Sequence, residues 1–141
     1  MPKISKTGTS SIRVRGIRKK EWSPDYTIEI RHQDKTLTEN MLIDSGADIS
    51  VISKKTGDLL GLTVAPSELF QEVAGVGFIE YALRKITFII DEFEVVAPVA
   101  WLQNDIYNEL IIGREVIFDK FDIEFKQADE QIIFKPRDNA A

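Results

Sequence analysis

A closed or strongly curved, antiparallel, barrel-like all-β domain with one or two short helices is the fold class this sequence predicts. Three observations predict it. Apolar and polar residues alternate with a period of two through most of the chain from Tyr26 to Phe134. Polar or glycine-containing turns separate the alternating runs. Only two stretches, Ser53 to Leu60 and Arg114 to Phe121, suit helices, and both are short.

The elements follow in order. Tyr26, Ile28 and Ile30 share one face and Thr27, Glu29 and Arg31 the other, as in a half-buried strand. Gln33-Asp34-Lys35 is a turn, and Thr36 to Ile43 returns as a second strand. Its apolar end runs into Asp44-Ser45-Gly46-Ala47-Asp48, after which Ile49, Val51 and Ile52 resume the alternation. Ser53 is a candidate N-cap for the first helix and Gly61 its stop. From Ser67 the pattern is strand again, interrupted at a hairpin tip, Gly75-Val76-Gly77. Phe78 to Ile90 is long enough to change partners midway. Asp91-Glu92 is a turn, and Phe93 to Leu102 is apolar enough for burial on both faces, with Pro98 marking an edge or bulge. Asn108 to Ile112 is a further apolar segment stopped by Gly113. Phe121 to Phe125 and Gln131 to Lys135 alternate around a polar turn and form a hairpin.

The 141 residues allow one domain. With 43% hydrophobic and 29% charged residues the composition is that of an ordinary globular protein. No apolar run approaches the ~18 residues of a membrane span, so no membrane partner is expected. The basic N-terminus has no apolar segment of a secretory signal behind it, and the expected compartment is cytoplasmic. Cysteine is absent and His32 is the single histidine. That takes most of the support from disulfide scaffolds, zinc fingers, cysteine nucleophiles and histidine-based serine triads. Carboxylate chemistry remains, and neither a cofactor nor a metal is expected.

Residues 1–24 hold seven basic residues and one acidic one, leaving 11 basic against 22 acidic in the remainder. The first 24 residues therefore read as a basic arm, partly disordered or an edge strand, ahead of a folded domain over 25–136 and a tail over 137–141. The body is acidic, so nucleic acid is not an expected partner. His32 has no metal-ligand companions, Trp22 and Trp101 read as packing residues, and Asp91, Glu92 and Glu94 as a solvated turn.

Chemistry concentrates at Leu42-Ile43-Asp44-Ser45-Gly46-Ala47-Asp48. A strand delivers Asp44 to a tight turn, and Gly46 leaves room for another chain to approach. Alone, Asp-Ser-Gly is a common turn. In context the segment resembles the active-site signature of the retroviral-type aspartic proteases, the retropepsins. Ala74-Gly75-Val76-Gly77-Phe78 resembles that family's flap, and Leu110-Ile111-Ile112-Gly113-Arg114 resembles the segment preceding its C-terminal helix. Order and spacing match from about Tyr26 to Phe134. Ser45 stands where many viral members have Thr. The basic arm and the Phe121–Pro136 hairpin make the chain look more like the cellular and bacterial members.

The resemblance implies roles. Asp44 would be catalytic, with Ser45, Gly46 and Ala47 supporting the loop. Ser45 would hydrogen-bond across a dimer axis, or be a plain turn serine. Gly46, Asp48, Gly75, Val76 and Gly77 would bind the substrate backbone, and Asp48 would form a buried, bidentate pair with Arg114. Amide hydrolysis of this kind needs two carboxylates sharing a proton, one as base and one as acid. The sequence holds one Asp-Ser-Gly, and a two-lobed enzyme would need about twice this length. The expected active species is a symmetric homodimer, with each copy bringing one Asp44 and the monomer inactive. The expected activity is endopeptidase cleavage of extended polypeptides between apolar residues. A non-catalytic binding or scaffold module on the same fold is the alternative, because a fold does not guarantee its function.

Overall fold

The computed structural model describes the backbone of residues 4–6, 9–14, 17–72 and 79–137, with side chains from Trp22 onward. The strands are β1 (Ile4–Lys6), β2 (Thr9–Val14), β3 (Ile17–Trp22), β4 (Asp25–His32), β5 (Lys35–Ile43), β6 (Ser50–Ile52) and β7 (Gln71–Glu72). They continue as β8 (Glu80–Ile90), β9 (Phe93–Leu102), β10 (Ile111–Ile112), β11 (Phe121–Lys126) and β12 (Gln131–Pro136). Two short helices, α1 (Lys54–Leu59) and α2 (Ile117–Lys120), interrupt them.

Seven strands form one sheet in the order β4-β5-β10-β6-β9-β8-β7. The sheet curves so strongly that β4 also pairs with β8, Ile30 opposite Phe88. The concave side is filled by the inward sets of the alternating strands: Tyr26, Ile28 and Ile30 from β4, Ile86, Phe88 and Ile90 from β8, and Val95, Ala97 and Val99 from β9. The period-two reading of β4 holds residue by residue. On its other edge, β8 pairs with β7 at its start and β4 near its end, as its length suggested.

Several expectations need correction. The sheet is mixed, because β10 runs parallel to β5 and β6 runs parallel to β9. The cause lies in the loop after β5. It holds β5 and β6 about two strand spacings apart, roughly 10 Å, and β10 fills the gap. Of Asn108 to Ile112, only that two-residue strand is paired. Ser67 to Phe70 is not a strand. Its backbone turns at Ala65–Glu68 (Glu68 N–H to Ala65 C=O, 3.0 Å), and Arg84 draws it across β8 through Thr63 and Glu68. β9 is buried on both faces only over Val99–Leu102. Pro98 precedes the β6 pairing, at a place where, among the described residues, β9 pairs with β8 alone. The second helix begins late because Val116 takes φ 68° and ψ −50°, closing a γ-turn in which Ile117 N–H bonds Glu115 C=O at 2.8 Å.

Within the stretch read as a basic arm, β1 lies at the edge of a three-stranded sheet, β1-β12-β11, and β2 and β3 form a separate hairpin. Trp22 ends that hairpin and packs edge-on against Phe125 at 6.5 Å. Asp91 is more than a turn residue, since the buried Tyr26 hydroxyl reaches its carboxylate at 2.6 and 2.8 Å. Burial and the adjacent carboxylate push the Tyr26 phenol well above its usual range. Glu94, also read as solvated, pairs with Arg31.

Candidate active site

The site is built where β5 and β10 end together. β5 pairs with β10 through Leu42–Ile111 and Ile43–Ile112, so the backbone is held by a ladder up to the residue before Asp44. Asp44 continues it, its N–H bonding the carbonyl of Ile112 at 3.0 Å. The chain then turns at once. Ala47 N–H bonds Asp44 C=O at 3.2 Å, and Gly46 N–H bonds the Asp44 side chain through Oδ1 at 2.8 Å. That last bond fixes the rotation of the carboxylate and leaves the half-buried group facing an exposed Ser45 and Gly46. A Cβ on residue 46 would stand 3.2 Å from Oδ1, so a side chain there would press on the group the loop presents.

The far side of the loop is stitched to the chain after β10. Arg114 N–H bonds Ala47 C=O at 2.9 Å, and Glu115 N–H bonds Asp48 C=O at 2.9 Å. Just before them Gly113 crosses so close to the loop that a Cβ would lie 2.4 Å from the carbonyl carbon and oxygen of Ile49. Only glycine fits. The Arg114 guanidinium meets the Asp48 carboxylate through Nη2 and Oδ1. Here the expectation is corrected: in the single chain the contact is through one nitrogen, with side chains 54% and 87% exposed, and is not a buried fork.

Asp44, Ser45, Gly46, Ala47, Asp48 and Arg114 are therefore brought together. Gly75, Val76 and Gly77 lie outside the described residues. The sequence reading passed over Ser50. Its hydroxyl is wholly buried and accepts the Gly113 N–H at 3.0 Å. The signal was present, since Ser50 shares its strand parity with the buried Ile52 and is polar where a core residue belongs. Among the described residues, no three of His, Asp and Glu group as metal ligands would.

No protein-family model and no curated protein matches the chain. Solved structures do match. The retroviral protease-like domain of Ddi1 from Leishmania major superposes with a TM-score of 0.60 over 84% of this chain and 98% of that one, at 17% identity. This chain has a retropepsin-like fold. A second match, EIAV protease complexed with the inhibitor HBY-793, covers 65% of this chain and 82% of the other at 22% identity, with a TM-score of 0.49. Chemically, the loop of one chain offers one oriented, half-buried carboxylate.

Proposed function

We propose that this chain is an aspartic endopeptidase working as a homodimer, two copies of Asp44 meeting across a twofold axis. The observation that carries the reading is the Asp44 carboxylate itself, oriented by Gly46 N–H and held on a backbone-braced loop of a retropepsin-like fold. Two such carboxylates at hydrogen-bonding distance repel when both are ionised, so the pair keeps one proton between them. The ionised member takes a proton from water as its oxygen attacks the peptide carbonyl. The protonated member donates to the carbonyl oxygen. The tetrahedral intermediate collapses as the C–N bond breaks: the carboxyl that took the proton from water gives it to the departing nitrogen, and the other, now ionised, takes one hydroxyl proton back as the carbonyl re-forms.

In this reading Ser45 bonds across the axis, Ala47 supports the loop, and Gly46 offers backbone to an extended peptide. Asp48 binds substrate backbone and is steadied by Arg114. Gly75, Val76 and Gly77 complete the enclosure over a strand-like substrate. The substrate is a polypeptide with apolar side chains flanking the cleaved bond.

Mass spectrometry of an extended-peptide library after incubation with wild type and with Asp44→Asn tests this, alongside sedimentation and melting. Wild type cleaves, and the variant loses cleavage with unchanged melting and association. Cleavage retained by Asp44→Asn overturns the reading. A wild-type chain that associates yet cuts nothing from acidic to neutral pH also overturns it, in favour of a binding module.

A further inference from the structure

The buried hydroxyl of Ser50 occupies a place the catalytic reading does not yet use. Gly113 lies one residue beyond β10, and its N–H is met by a side chain, Ser50 Oγ at 3.0 Å, in surroundings from which water is excluded. Gly113 is also the pivot of the crossing. On one side of it, Ile112 C=O holds the Asp44 N–H, and on the other, Arg114 N–H holds Ala47 C=O. Any displacement at residue 113 is thus passed to both ends of the four-residue turn that presents the Asp44 carboxylate. Movement toward the loop is blocked by the Ile49 backbone, where even a Cβ would sit at 2.4 Å. The only slack is outward, and outward movement lengthens both bonds to the turn.

We propose that Ser50 is a positioning residue for Asp44: its hydroxyl holds Gly113 against the loop and so sets where the carboxylate stands. The inference rests on the protease reading for its kinetic consequence, though not for its structural one. Removing the hydroxyl leaves a buried N–H without its acceptor, and relief comes through the outward shift. Reacting groups displaced by a fraction of an ångström to an ångström lose about tenfold to a hundredfold in rate. Ser50 touches neither substrate nor the transferred proton, so the loss falls on kcat and leaves KM largely alone.

The test compares full-length wild type, Ser50→Ala and Ser50→Thr by peptide-cleavage kinetics and by amide hydrogen exchange at Asp44, Gly113 and Arg114. Ser50→Ala is expected to lower kcat about tenfold or more with KM within about twofold. It should also quicken exchange at all three amides. Ser50→Thr, which keeps the acceptor, restores both. Should Ser50→Ala fail to fold, Ser50→Cys, near in size and a weak acceptor, carries the same measurements. Wild-type kcat in a folded Ser50→Ala, a loss that threonine does not restore, or unchanged exchange at Gly113 each overturns the proposal. If wild type cleaves nothing, the protease reading fails by itself. Exchange at Asp44 and Arg114 then still decides whether Ser50 holds the loop.

Discussion

Two loops flank the same curved sheet and are held by opposite means. The Asp44–Ile49 loop is fastened mainly by peptide groups: Ile112 to Asp44, Arg114 to Ala47, Glu115 to Asp48, and the tight passage of Gly113 past Ile49, with the neutral Ser50 hydroxyl behind Gly113. The Thr63–Phe70 loop is fastened by one guanidinium. Arg84 makes a two-pronged pair with Glu68 at 2.7 and 2.8 Å, bonds Thr63 C=O at 2.7 Å, and lies 5.7 Å from the centre of the Trp101 ring. Peptide groups do not titrate and carry no rotamer freedom, so the backbone bonds of the first loop do not depend on the charge of a side chain. A charged fork is as strong as the ionisation of its carboxylate. The loop that carries the Asp44 carboxylate, the proposed reactive group, is the one held mainly by neutral groups. Its exposed Asp48–Arg114 pair is an addition to that framework.

The largest break of this comparison is Gly113→Ala. Backbone stands where the new methyl would go, and neither strand can yield. A loss of about 3 kcal/mol is expected in urea unfolding, with quickened exchange at Asp44. Near-wild-type stability would mean that the crossing is looser than the geometry requires. Next comes Arg84→Met, which keeps the stem over Trp101 and removes the fork. With the pair partly exposed, a loss of stability smaller than that of Gly113→Ala is expected in urea unfolding. Exchange in the Asp44 loop should stay unchanged. If both loops loosen together, they are one unit and the comparison fails.

How much of this was legible follows from range. Tyr26–Ile30 was readable because period-two burial is written in adjacent residues, and the Phe121–Pro136 hairpin because a polar turn divides two β-type runs, although Ile132 to Phe134 are buried without alternation. The site loop was readable because Asp44, Gly46, Gly113 and Arg114 carry a recognisable order. What stayed hidden depends on distant partners. Nothing in Asn108–Ile112 says that two of its residues will slot between β5 and β6. Ser67–Phe70 looks like strand until Arg84, 16 residues from Glu68, bends it away. Asp91 looks solvated until Tyr26, 65 residues off, reaches it. Ser50 is the instructive case, a legible parity with a role that only the crossing explains.

A smaller effect sharpens the contrast by pH. The Arg84 guanidinium holds the Glu68 carboxyl below the ordinary 4.5. A depressed folded-state value means that the unfolded chain binds the proton first. The contribution is therefore complete above 4.5 and is lost as pH falls below it, through the folded value. The melting-temperature gap between wild type and Glu68→Gln should shrink on acidification over that range, with exchange at Asp44 unaffected. A gap independent of pH would show that the fork's charge contributes nothing.

The central claim is that each chain supplies half of one acid–base pair, and subunit mixing tests it most directly. Wild type is equilibrated with increasing Asp44→Asn at constant total protein, and peptide cleavage is followed. If every active centre needs Asp44 from both chains, activity falls as the square of the wild-type fraction. An equal mixture then retains about a quarter of the rate. Activity that falls in simple proportion to the wild-type fraction would mean that one chain suffices, and would contradict the account.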